Sequence, residues 1–140
     1  MRWRCACAGL AAWMILLSVD TVTAAGQPAR REQRIGDAAL RVERAVARLQ
    51  EAEATARLAD VFGVPPRVVT ELRDQKLALR DVAVVLALAE TGKTPPDTIL
   101  SLWASGRLNW GEIADRLKVE QPSLLRRLDA ARRDLTRDTR

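Results

Sequence analysis

The chain's 140 residues are enough for one small domain, and its 48% hydrophobic content is carried mainly by Ala, Val and Leu, with aromatics at only 4%, a balance that favours helices packed closely through small side chains. Charged residues of both signs make up 29%, which excludes a disordered polyelectrolyte. The net charge of +5 and a pI near 10.2 suit acidic neighbours such as phospholipid, anionic glycan or nucleic acid, although an Arg-rich helical chain is also basic for compositional reasons alone.

Residues 1–25 have the grammar of a secretory signal. Arg2 and Arg4 supply the positive start, residues 6–19 form an apolar run, and "VTAA" offers small residues at Val22-x-Ala24 or Thr23-x-Ala25 for cleavage. A membrane-spanning helix takes about 20 apolar residues. A run from Ala6 to Val19 is shorter than that, so a cleaved signal is expected, with an uncleaved anchor extended through residues 21–25 as the rival. Neither Cys5 nor Cys7 stands where a lipid would be attached. Both cysteines lie in this leader and the chain has no His and no Tyr, so the mature protein is expected to hold no disulfide and no thiolate or imidazole metal site. The expected destination is the periplasm or the medium.

After a short linker with Gly26 and Pro28, an amphipathic helix is expected over residues 30–57. Ile35, Ala38, Val42, Ala45, Leu49, Ala52 and Ala56 recur at spacings of three and four. This Ala-rich stripe suits either packing within the chain or a weak coiled coil with a second copy. A linker and helix over 26–60 thus precede a helical domain over 61–140. There Gly63 and Pro65-Pro66 punctuate, and "PPRVVTELRDQK" begins a helix with Val68, Val69 and Leu72 inward. A break near residues 76–79 leads into "RDVAVVLALAET", apolar on nearly all sides and therefore the expected central helix, ended by Gly92.

The same grammar recurs. "TPPDTILSLWASG" opens with two prolines behind Thr94 as an expected N-cap and stops at Gly106. In "LNWGEIADRLKV", Asn109 and Glu112 have capping-box spacing. "PSLLRRLDAARRDL", opened by Pro122, carries Leu124, Leu125, Leu128 and Leu135 on one side and arginines on the other. Pro65-Pro66 matches Pro95-Pro96 at a shift of 30, and "KLALRDVAVVL" matches "RLNWGEIADRL" at a shift of 31. Two related halves, about 63–91 and 92–119, followed by a basic C-terminal helix, are the expectation.

The chemistry is sparse. Without His, mature Cys or Tyr, acid–base work would fall to carboxylates or lysines. Asp81 and Glu112 hold equivalent repeat positions and suit either a carboxylate pair or, more simply, first-turn acids on the helix dipole. Gly92-Lys93-Thr94 lacks the first glycine of a phosphate loop and a preceding strand. Trp103 matches the outward-type Arg73 and is a candidate contact for a partner, as are Arg126, Arg127, Arg132 and Arg133, whereas Trp110 matches the apolar Leu79 and suits the core. No catalytic residue, cofactor or metal is expected.

Two resemblances follow from these segments. Trp110-Gly111-Glu112-Ile113-Ala114 with Leu117 and Val119 resembles a W-G-E-I-A-x-x-L-x-V segment of small exported bacterial proteins of unassigned function. The likeness extends over residues 58–119 and implies a secreted helical module without implying a reaction. "EIADRLKVEQPSLLRRL" is similar, more weakly, to the helix-turn-helix of transcription regulators, which implies nucleic-acid binding. Its turn lacks the usual Gly, and Pro122 alters the entry to the second helix. The sequence as a whole leads us to expect an all-α, exported, non-catalytic interaction or structural module. It would contact a protein partner or a second copy through helix 30–57 and lean its basic last helix on an acidic surface. The alternative is a helix-turn-helix nucleic-acid binder.

Overall fold

The computed structural model describes residues 26–137; the expected leader lies outside the described residues. The chain is all-α. Seven helices follow one another among the described residues: α1 (Gly26–Val46), α2 (Glu51–Phe62), α3 (Pro66–Asp74), α4 (Leu79–Gly92), α5 (Pro96–Ala104), α6 (Trp110–Arg116) and α7 (Gln121–Arg137).

The run from Val82 to Leu88 is buried at every position. A helix apolar on all sides has to be covered on all sides, and α4 accordingly packs on each of the other six helices. Its most extensive neighbours are α1 and α7. They deliver Ile35, Ala38, Val42 and Val46 from one side and Leu124, Leu128, Ala131 and Leu135 from the other. Full burial of a Val or Leu side chain is worth roughly 1.5–3 kcal/mol, so this three-helix centre carries most of the fold.

The helix expected over residues 30–57 is two helices. The chain leaves helical geometry over residues 47–50, where Leu49 N–H donates to the Val46 carbonyl (3.0 Å) before α2 starts. No Pro or Gly marks the break, and the reason lies in the phase of the pattern. Carrying the α1 register past Val46 at 100° per residue would turn Glu53 and Arg57 to the buried side. Breaking the helix lets Ala54, Leu58, Ala59 and Phe62 face the core instead, while Ala52 and Ala56 are exposed and Glu53 pairs with Arg57 outside (3.6 Å).

Three turns share one closure. After α2, α4 and α6 a residue takes the left-handed conformation: Gly63 (φ 64°), Lys93 (φ 48°) and Lys118 (φ 57°). In each case the next residue's N–H reaches back to an alanine carbonyl, Val64 to Ala59 (2.9 Å), Thr94 to Ala89 (3.1 Å) and Val119 to Ala114 (2.8 Å). These are Schellman closures, which satisfy carbonyls that the helix end would leave without partners. Two expectations are corrected here. Thr94 does not cap α5: its hydroxyl donates to the Gly92 carbonyl (3.0 Å), and Pro95 holds the N-cap position without a side-chain bond. Nor does Gly92 supply the left-handed turn, which falls to Lys93. Gly92 is still inside α4, and a Cβ there would meet Val119 Cγ2 at 3.0 Å, so its small size admits the α6–α7 turn.

The turns before α4 and α6 also match. Lys76 (φ 68°) and Gly106 (φ 64°) are both left-handed and stand 30 apart, but the N-caps, Ala78 and Asn109, stand 31 apart. One extra residue between turn and cap explains why the sequence match moves from a shift of 30 to 31. Asn109 closes the expected capping box. Its side chain accepts from Glu112 N–H (2.9 Å), and the Glu112 carboxylate accepts from Asn109 N–H (2.9 Å).

Left-handed geometry costs a residue with a Cβ about 1–2 kcal/mol, of which glycine's greater unfolded-state freedom returns roughly half. Lys118→Gly is therefore expected to raise stability by about 0.5–1 kcal/mol in chemical denaturation. Gly63→Ala, with nothing within 4 Å of the added Cβ, should lower it by about 1 kcal/mol for conformational reasons alone.

Candidate functional site

The surface of the α1/α7 pair is where the charges collect. Gln121 Nε2 donates to the Arg31 carbonyl (3.5 Å), and ten residues further along α1 the Arg41 guanidinium stands 3.9 Å from Asp129. The two helices therefore run side by side in the same direction. On α1, Arg30, Arg34 and Arg41 follow at spacings of four and seven and lie on the side that Arg41 shows to face α7, with Arg44 beyond. Arg30 and Arg34 line a shallow hollow with Asp115 at the end of α6 and Gln121 at the start of α7. On α7, Arg126, Arg133 and Arg137 lie opposite the buried leucines and are exposed. The acids on this side are Asp37, Asp129, shared between Arg41 and Arg132 (4.0 Å), Asp115 in the hollow, and Asp134, which stands 3.8 Å from Arg137. The result is one outward face with arginines in clear excess.

Other polar contacts fix where that face points. Glu32, on the far side of α1, accepts from Gly111 N–H at the start of α6 (2.8 Å), where the helix dipole favours a carboxylate. Arg31 pairs with Asp115 at the other end of α6 and donates to the Val119 carbonyl (3.4 Å). Together they lock the rotation of α1 about its axis. Its apolar stripe is turned to the core, and the arginine flank is the part left to solvent.

The four candidate arginines of α7 separate into two kinds. Arg126 and Arg133 are exposed, and Arg126 donates only to Ser123 Oγ on its own helix (3.1 Å). Arg127 is an internal tie. Its Nε donates to Glu90 (2.5 Å), its Nη2 to the Val61 carbonyl (2.9 Å), and the guanidinium lies over the Phe62 ring at 4.5 Å. Arg132 is half-buried beside Asp129. Trp103 is half-buried and stacks on the buried Trp110, with ring centroids 5.7 Å apart and planes 8° from parallel. Trp110 Nε1 donates to Asp81 (3.3 Å). The pair seals the join between α5, α6 and the start of α4.

Asp81 and Glu112 are engaged separately: Asp81 accepts from Trp110 Nε1, and Glu112 belongs to the capping box. Among the described residues no group of three or more His, Cys, Asp or Glu is placed to hold a metal, and no helix is long and apolar enough to cross a membrane. The helices of the turn-like segment, α6 and α7, touch each other little; α6 docks mainly on α1 and α5, and α7 on α1 and α4. Sequence reasoning followed the apolar stripe of α1 and passed over its arginines, whose spacing of four and seven was the available signal.

No protein-family model matches the chain, and comparison with curated proteins and with solved structures gives no match.

The contrast between the two arginine kinds is measurable. Arg127→Ala is expected to cost about 1–3 kcal/mol, because a guanidinium with its side chain 18% exposed loses a carboxylate, a carbonyl and a ring. Arg126→Ala should stay within about 0.5 kcal/mol of the parent in the same urea titration.

Proposed function

We propose that the chain is an exported, non-catalytic helical module of the bacterial envelope, working by contact through the arginine face of α1 and α7. The observation that carries this reading is the excess of exposed guanidinium groups on one side of two parallel helices. Surplus like charge on one face opposes folding, and an anionic partner relieves that repulsion. The leader-like grammar of residues 1–25 and the W-G-E-I-A-x-x-L-x-V resemblance support export. The apolar stripe of α1 is buried within the chain, so a partner or a second copy would meet the helix on its arginine flank.

The matched left-handed turns and paired prolines support the reading of α3–α4 and α5–α6 as related halves, the second shortened at α6. On this reading the duplication built the scaffold, and α1 and α7 were added around it to make the contact surface. The helix-turn-helix alternative gains no support from the geometry. The start of α7, the end by which such a helix reads bases, is flanked by Asp115 and Glu120 and tied down by Arg31.

Expression from the full reading frame, followed by fractionation and N-terminal sequencing, tests the reading. We expect a mature chain starting near Ala25 or Gly26 in the periplasm or the medium. An intact Met1 on a cytoplasmic protein would overturn it.

A further inference from the structure

We infer that the arginine face of α1 and α7 is a docking surface for an anionic lipid bilayer. This rests on the envelope reading above and names the surface that the module meets.

Shape is the first argument. Two helices lying side by side present a broad side rather than a protruding edge, and α7, with 17 residues, gives it a length of about 25 Å. Such a face suits a sheet of headgroups better than a groove or a pocket does. Chemistry is the second. The exposed cations are Arg30, Arg34, Arg41 and Arg44 on α1 and Arg126, Arg133 and Arg137 on α7, with no lysine among them. A guanidinium is weakly hydrated and grips phosphodiester oxygens in pairs. The face therefore has the means to hold phosphate. Arginine also reads guanine edges in a duplex, so it is the breadth of the face that favours headgroups, and duplex DNA is the competing occupant in the test.

Position is the third argument. The arginine series opens at Arg30, eleven residues after the apolar run of residues 6–19 ends. On the envelope reading the leader takes the chain into the membrane, and cleavage near Ala25 releases it beside the headgroups with the start of the arginine series foremost. Basic groups next to an anionic leaflet each raise partitioning roughly fivefold, and the effect fades within a Debye length. The scarcity of apolar side chains on the face points to peripheral, salt-sensitive attachment, with the bundle resting on the headgroups.

Cosedimentation of the chain as recovered from its full reading frame tests this. The vesicles are equal parts phosphatidylglycerol and phosphatidylcholine, with pure phosphatidylcholine vesicles and duplex DNA of matched phosphate content in parallel. Two variants accompany the parent. Arg34→Gln, Arg44→Gln, Arg126→Gln and Arg133→Gln together strip the face; Arg67→Gln, Lys76→Gln, Arg80→Gln and Arg107→Gln remove the same charge from α3, the start of α4 and the turns. All eight side chains are exposed, and matching thermal midpoints verify that both variants fold. We expect sedimentation with the anionic vesicles only, reversed at roughly 0.5 M salt, with the first variant weakened at least about tenfold and the second nearly unchanged.

Equal sedimentation with both vesicle types, equal loss in both variants, or tighter binding to DNA than to anionic vesicles would each overturn the inference. An exported, cleaved chain that ignores anionic vesicles overturns the inference and leaves the envelope reading standing. A cytoplasmic chain with Met1 intact removes the reading itself.

Discussion

The structure depends on one constraint: the surface of α4 from Val82 to Leu88 has no polar side. Leaving any part of it in water would forfeit roughly 25 cal/mol for each Å² exposed. A stretch of seven residues cannot be covered by one partner, so the chain wraps it with six. The short helices and their abrupt turns follow from this. Each of α3, α5 and α6 is long enough to cover one patch of α4 and must then reverse. A left-handed residue at the turn does this in the fewest residues.

The placement of charge follows from the same constraint. Once the apolar stripes of α1 and α7 are committed to α4, their arginines have to be on the outside. Because the two helices run parallel and adjacent, those arginines form one face instead of two. Rotation matters as much as position. Glu32 and Arg31 hold α1 to the two ends of α6, so the arginine flank is turned to the α7 side and is not spread around the helix. Arg127 shows the opposite outcome. It sits one residue from Arg126, yet the 100° turn between neighbours carries it over Phe62 and onto Glu90, where it ties α7 to α2 and α4.

The features that were legible in the sequence are those with local causes. Paired prolines open α3 and α5 because their missing N–H groups have no partner in a first turn anyway. Asn109 and Glu112 close a capping box from three residues apart. The apolar band of α4 announces a buried helix by composition alone. Features set by distant packing were not legible. The break after Val46 carries no Pro or Gly and follows only from the need to turn Glu53 and Arg57 outward once Ile35 and Val42 are in the core. Lys93 and Lys118 take a conformation that sequence rules assign to Gly, because Val64-like closures by Thr94 and Val119 outweigh the Cβ cost. The α7 arginines were identified as a set, but which of them faces inward depends on α2 and α4, which nothing near Arg127 in the sequence reveals. The α1 arginines needed α7 beside them before they amounted to a surface.

The central claim is that α1 belongs to the core around α4 and thereby fixes the arginine face. Native-state hydrogen exchange tests it most directly, comparing the amides of Ile35–Val46 with those of Val82–Leu88. If α1 is an integral wall of the core, both sets exchange only through global unfolding, with the same opening free energy and the same denaturant dependence. If the α1 amides open at a much lower free energy while α4 stays protected, α1 is a loosely held arm. The bundle would then close without it, and no fixed arginine face would exist.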